Sequence, residues 1–180
     1  MIKRTNQIWT DFKEILENAL AFCGVSGWTV RQNFAPVKGN WPRPVLVMHR
    51  IRPALYGAQG QKYIPSDSAL TLQTKQYMEL TLQIDALCSR VPGRPEQVLA
   101  SDVIIILADY FTGPFGSRAL KDKGYALAEK IRTVEEPEFT DENDVFEFNP
   151  FLQMKISYIN TTEKEVPALD ALEIQGVKGV

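Results

Sequence analysis

The side chains with catalytic potential are few. The chain holds one histidine, His49, and two cysteines, Cys23 and Cys88, in 180 residues. One imidazole cannot build HExxH or any multi-histidine metal site. A Ser-His-Asp or Cys-His mechanism would have to run through His49. Its surroundings, Val-Leu-Val-Met-His-Arg-Ile-Arg, offer no nucleophile elbow. His49 therefore reads as a histidine on a sheet face near solvent. Cys23 and Cys88 lie far apart, in neither CxxC nor zinc spacing, and suit two reduced, buried thiols better than a disulfide.

Three further patterns bear on chemistry. Gly57-Ala-Gln-Gly60-Gln-Lys62 is the nearest approach to a phosphate loop, but it lacks the GxxxxGK[ST] spacing and reads as a flexible loop. Glu135, Glu136, Glu138, Asp141, Glu142 and Asp144 supply oxygens that a hard cation takes, without the EF-hand order. They read as a solvated loop, or as a negative surface that meets a partner or repels DNA. Glycoside chemistry needs two carboxylates to converge, and nothing selects a pair among the 22 acidic residues. No catalytic residue, cofactor fingerprint or metal set is expected.

What remains is recognition. Asn40-Trp41-Pro42-Arg43-Pro44 runs directly into Val45–Arg52, and each proline pushes the residue before it into an extended conformation. Arg43, Arg50 and Arg52, with Arg31 upstream, form a local basic group, and strand alternation would set Arg50 and Arg52 on one face. Solvation or a partner contact both suit them. Trp41 is either a packing cover beside two prolines or a binding aromatic.

Composition bounds the rest. The hydrophobic fraction of 44% and charged fraction of 23% fit a globular chain of one domain with a sizeable core. A net charge of −2 provides no global field for holding nucleic acid. No apolar run reaches the roughly 20 residues a membrane helix needs, and the N-terminus leads into no apolar signal region. A soluble intracellular product is expected.

The elements that would position these residues follow from periodicity. Ile8, Phe12, Ile15, Leu16, Ala19 and Leu20 recur at helical spacing, predicting an amphipathic helix over Thr5 to Cys23 with Gly24 just past its end, and Asp11, Lys13, Glu14 and Glu17 off the apolar stripe. A short strand over Trp28 to Phe34 and a secure strand over Val45 to Arg52, ended by Pro53, come next. Pro53 to Ser68 reads as loop because of Gly57, Gly60 and Pro65. Met78, Leu80, Leu82, Ile84 and Ala86 alternate with polar residues, the pattern of a half-buried strand. The parity persists back to Leu70, so a strand from Ala69 to Cys88 would outrun the usual length of roughly 3–10 residues. A long β arm or loop around 53–76 then needs another surface to lie on.

A helix is predicted from Pro95 to about Phe111, with Asp102 and Asp109 on its wet side. Ile104–Leu107 cannot share one stripe, which leaves either a widely covered helix or a partly buried strand, and length favours the helix. Gly113-Pro114-Phe115-Gly116 reads as a turn, with Ser117 capping a short helix. Strands are expected over Tyr125 to Val134, Phe146 to Asn160 (interrupted at Pro150) and Val166 to Val177. This order gives an α+β fold: a mostly antiparallel or mixed sheet, an N-terminal amphipathic helix and a central helix packed on it.

The order of elements, together with the Asn40–Pro44 lead-in, the Val45–Ile51 and Met78–Ala86 strands and the Val98–Tyr110 helix, resembles the tail or neck terminator proteins of tailed bacteriophages. The resemblance implies a virion protein, made in the host cytoplasm, that assembles as a homo-oligomeric ring, typically a hexamer. Such a ring caps the tail tube, ends its polymerisation and offers the neck and connector proteins a docking face. Genomic DNA would pass through it without sequence-specific contact. Trp41, Arg43, Arg50, Arg52, Tyr77, Ile104 and Ile105 are then the candidate subunit or partner contacts. The alternatives are another phage structural subunit, of tube or connector type, and a small carboxylate-based hydrolase.

Overall fold

A computed structural model describes residues 5–32, 43–65, 70–89, 91, 93–134, 139–140, 146–147 and 150–166. In chain order these form α1 (Thr5–Phe22), β1 (Thr29–Gln32), β2 (Val45–Pro65), β3 (Leu70–Leu87), α2 (Ala100–Thr112) and α3 (Pro114–Asp122). Then follow β4 (Tyr125–Leu127), β5 (Arg132–Val134), β6 (Phe139–Thr140), β7 (Phe146–Glu147) and β8 (Phe151–Val166). The fold is α+β, as expected.

One six-stranded sheet runs in the order β1-β2-β3-β8-β4, with β5 also on β8, and β6 pairs only with β7. β1 lies parallel to β2, and every other pairing is antiparallel. One face buries Leu46, Met48, Leu80, Leu82, Ile84, Leu152, Met154 and Ile156. Against this face pack Phe12 and Leu16 of α1, Val103, Ile104, Leu107 and Phe111 of α2, and Leu120 of α3.

Local chemistry sets the element ends. α1 closes in a Schellman arrangement: Val25 N–H donates to Leu20 O at 2.9 Å and Gly24 N–H to Ala21 O at 3.1 Å. Gly24 takes φ of 72°, where a Cβ would be strained. At the start of α2, the Asp102 carboxylate accepts the otherwise orphaned Leu99 N–H at 2.9 Å.

Several sequence expectations are corrected. Pro53 does not end β2, and most of the expected loop from Pro53 to Ser68 is strand as far as Pro65. β1 covers β2 only at Val45–Met48, so beyond that point β2 is an edge strand among the described strands, where proline and glycine are tolerated. Bulges fall between Arg50 and Arg52 and between Tyr56 and Gly60. The α2 helix starts at Ala100 rather than Pro95. Gly113, not Ser117, caps α3, and Pro114 occupies its first turn, where no N–H is needed. Tyr125 to Val134 forms two short strands, and β8 begins only after Pro150. The Val166–Val177 strand beyond Val166, which ends β8, and most of the acidic stretch lie outside the described residues.

Asp11 is likewise not on the wet side of α1. It is 5% exposed, accepting hydrogen bonds from Tyr125 Oη at 2.7 Å and Gln7 Nε2 at 2.8 Å. Burial, then the hydrogen bond to Asp11 and its charge, push the Tyr125 phenol above its ordinary range. Above the unfolded phenol value of about 10, the unfolded chain releases a proton that the native state retains, so stability falls as pH rises. Denaturant titrations from pH 8 to 11 are expected to show this decline, with a shallower slope in Tyr125→Phe. At pH 7 the same variant loses about 1–3 kcal/mol, because Asp11 keeps its burial and loses a donor.

Gly116 is buried where α3 meets α2, and a Cβ there would lie 2.3 Å from Tyr110 O and 2.5 Å from Phe111 Cα. Backbone cannot swing aside as a flexible side chain can. Gly116→Ala is expected to cost about 1–3 kcal/mol, read as a lower thermal midpoint.

Candidate interaction surface

The long strands divide the sheet into a body and an arm. Over Ala54–Pro65, Leu70–Tyr77 and Ile159–Val166, no described side chain is buried. These segments of β2, β3 and β8 stay hydrogen-bonded to one another beyond the packed core, over roughly 25 Å at 3.3 Å per residue. Both faces carry apolar groups. On the face away from the helices, Tyr56, Tyr77 and Ile159 stand in one row across the three strands. On the helix side, Tyr63 and Leu72 stand level, followed by Pro65, Leu70 and Val166 nearer the tip. Leu55, Tyr56, Tyr63, Tyr77 and Ile159 are all exposed. Apolar residues exposed on both faces of a stretch of sheet, with no cover among the described residues, mark a candidate interaction surface.

A second exposed apolar patch lies on the helices. Phe22 at the end of α1 and Phe115 at the start of α3 are each 59% exposed. Their ring centroids are 4.7 Å apart, and Phe22 lies 5.6 Å from Tyr110.

The body's non-helical face buries Val45, Val47 and Phe151 at one end and carries a polar lattice beside them. His49 Nε2 lies 2.8 Å from Asp85 Oδ2. Gln83 Nε2 donates to Asp85 Oδ1 at 2.7 Å, and Gln153 Nε2 donates to Gln83 Oε1 at 3.1 Å. Further along, Lys155 donates to Glu129 and lies 3.7 Å from Glu79. That hydrogen bond holds the Glu129 carboxyl below its ordinary range. This lattice ties β2, β3 and β8 together across their solvent side.

Two open clefts flank β8. The larger, about 600 Å³, lies between Tyr77, Lys121, Tyr125, Tyr158 and Ile159 and includes no carboxylate in its lining. The smaller, about 210 Å³, has Glu129 as its one acid, beside Lys130, Arg132 and Lys155. The carboxylate hydrolase reading asked for a cleft with two acids, and neither of these supplies it. Among the described residues no group of three or more His, Cys, Asp or Glu could hold a metal ion. No described helix is long and apolar enough to cross a membrane.

The expected contact residues separate clearly. Tyr77 sits on the arm and is 52% exposed. Arg43 is exposed at the foot of β2, its Nη1 donating to Ser89 Oγ at 3.4 Å. Ile105 is exposed on the outer side of α2. Ile104 is corrected: at 2% exposure it belongs to the subunit's own core, on the stripe with Val103, Leu107 and Phe111. Trp41 lies outside the described residues, as do the side chains of Arg50 and Arg52. The backbone register sets Arg50 opposite Leu82 and Arg52 opposite Thr81, neighbours on β3, so regular alternation between the two arginines is broken by the bulge.

Leu55, Tyr56, Tyr63 and Ile159 were missed. The available signal was the pair of aromatic-aliphatic couples, Leu55-Tyr56 and Tyr63-Ile64, unusual in a stretch otherwise rich in loop residues. Because Tyr56 and Tyr77 are more than half exposed, Tyr56→Ser and Tyr77→Ser are each expected to change the unfolding free energy of the isolated chain by no more than about 0.5 kcal/mol. Leu82→Ala, in the core beneath, is expected to cost about 2–5 kcal/mol in the same chemical denaturation.

A family model described as E217 gateway protein gp29 matches residues 10–168, which takes in the helical layer, the body of the sheet and the whole arm. No curated protein matches the chain. The match bears out a bacteriophage structural protein and does not single out the terminators among such proteins. The chain belongs to the E217 gateway protein gp29 family, a family of phage structural proteins.

Proposed function

We propose that this protein is a virion subunit that assembles as a closed ring, a hexamer, at the junction of phage tail and neck. The ring caps the tail tube, ends its polymerisation and presents a docking face to the neck and connector proteins. The carrying observation is the arm, three strands that leave their own core with apolar groups exposed on both faces. A ring needs two different patches on each subunit, so that the front of one meets the back of the next. The arm, whose two faces and two edges differ, offers such unlike surfaces, and the Phe22–Phe115 patch is a further exposed region. Family membership supports the phage setting. The near-neutral charge of −2 suits a conduit that lets DNA pass without gripping it.

Native mass spectrometry and negative-stain electron microscopy test this, on the purified protein alone and mixed with tail tubes. A single closed ring, and tubes that stop growing once decorated by it, is the expected result. Tubes built of this protein itself would favour a tube subunit. A monomer under every condition, tubes included, would overturn the ring.

A further inference from the structure

The exposed faces of the arm are matched by exposed edges. β8 pairs with β4 and β5 on its outer side only between Phe151 and Tyr158. From Ile159 to Val166 its only partner among the described strands is β3. β2 is likewise paired on its outer side by β1 only at Val45–Met48. The arm is therefore a three-stranded ribbon whose two long edges present backbone donors and acceptors, the features that recruit an added strand.

The edges differ in charge. On the face away from the helices, one row reads Lys62, Gln73, Glu163 across the three strands, and the next reads Ile64, Thr71, Glu165. Gln73 Nε2 donates to Glu163 Oε1 at 2.8 Å, which orients that carboxylate within the row. On this face the β8 edge thus carries two acids at alternate positions, with Lys164 between them on the other face, and the β2 edge carries a lysine at the same height. Glu163, Glu165 and Lys62 are all exposed.

Symmetry turns this asymmetry into a direction. Two copies related by a two-fold axis would pair like edge with like edge. Overlap of two β8 edges centred on Glu163 or Lys164 would set these acids against each other, and overlap of two β2 edges centred on Lys62 would set lysine against lysine, and like charges opposed across strands are destabilising. Rotation about an axis along the arm instead brings the β8 edge of one copy to the β2 edge of the next. β2 and β8 both run antiparallel to β3, so they share a direction and the new pairing is parallel. Lys62 then meets Glu163 at level register. With the stagger that strand tilt introduces, a shift of two residues brings it to Glu165 instead. The exposed Tyr56–Tyr77–Ile159 row continues across the same seam.

We propose that a second copy of this chain adds head-to-tail to the arm, its β2 edge lying parallel to the β8 edge of the first, with Lys62 set against Glu163 and Glu165. This rests on the ring reading above and names the seam that closes it. The test uses the full chain with Cys23 and Cys88 replaced by serine and the fold checked by circular dichroism. A Lys62→Cys/Glu163→Cys double variant is expected to give an oxidised ladder of covalent multimers, and Glu163→Cys alone none. Lys62→Glu should raise the concentration needed for assembly by about tenfold. Adding Glu163→Lys and Glu165→Lys to it should restore assembly to within about threefold. Rings that form without the ladder and ignore Lys62→Glu would overturn the seam and leave the ring standing. Covalent dimers from Glu163→Cys alone would show a two-fold contact and overturn the direction. A wild-type chain that stays monomeric even with tubes would overturn both.

Discussion

β3 is hydrogen-bonded on both sides along almost its whole length, to β2 from Leu87 to Leu70 and to β8 from Asp85 to Leu70. No other described strand has that position. A central strand so held gives the sheet its continuity: the alternation that buries Leu80, Leu82 and Ile84 under the helices continues, unchanged in phase, into Leu72 and Leu70, where no described helix follows. The helical layer is shorter than the strands it covers. The arm is the consequence, a piece of sheet ordered by the same ladder as the core and covered by no layer among the described residues.

The parts of the fold that were legible in the sequence are those whose pattern is decided locally. α1 declares itself through one apolar stripe and a terminal glycine, and the body of β3 through strict alternation. The second strand of the arm was not legible. Pro53, Gly57, Gly60 and Pro65 are breakers within a central strand but are acceptable on an edge, and whether β2 is an edge depends on where β1 ends. That is a fact of topology, which no window of residues contains. Ile104 shows the same limit: its place among four large aliphatics made it look surplus, while the packing of α2 against both sheet and helices absorbs it. Asp11 required a partner more than a hundred positions away, the hydroxyl of Tyr125.

The candidate surface was partly legible for a related reason. Tyr77 was reachable because it sits in the regular strand. Leu55, Tyr56 and Tyr63 were hidden by the loop-like composition around them. The lattice of His49, Asp85, Gln83 and Gln153 cross-links the strands and reaches the smaller cleft beside β8 only at its end, through Gln153.

The two irregularities in β2 differ in kind. Between Tyr56 and Gly60 the strand gains two residues on its partner, which preserves which side each later residue occupies. Between Arg50 and Arg52 it gains one, and the sides exchange: even-numbered Leu46 and Met48 face the helices in the body, whereas odd-numbered Leu55 and Tyr63 stand on that side of the arm. That single extra residue acts as a reading-frame shift written in side chains. The gene can therefore lengthen or shorten the arm by pairs of residues and keep its two surfaces distinct. Loss of one codon at the bulge would turn one ribbon of the arm over against its neighbours.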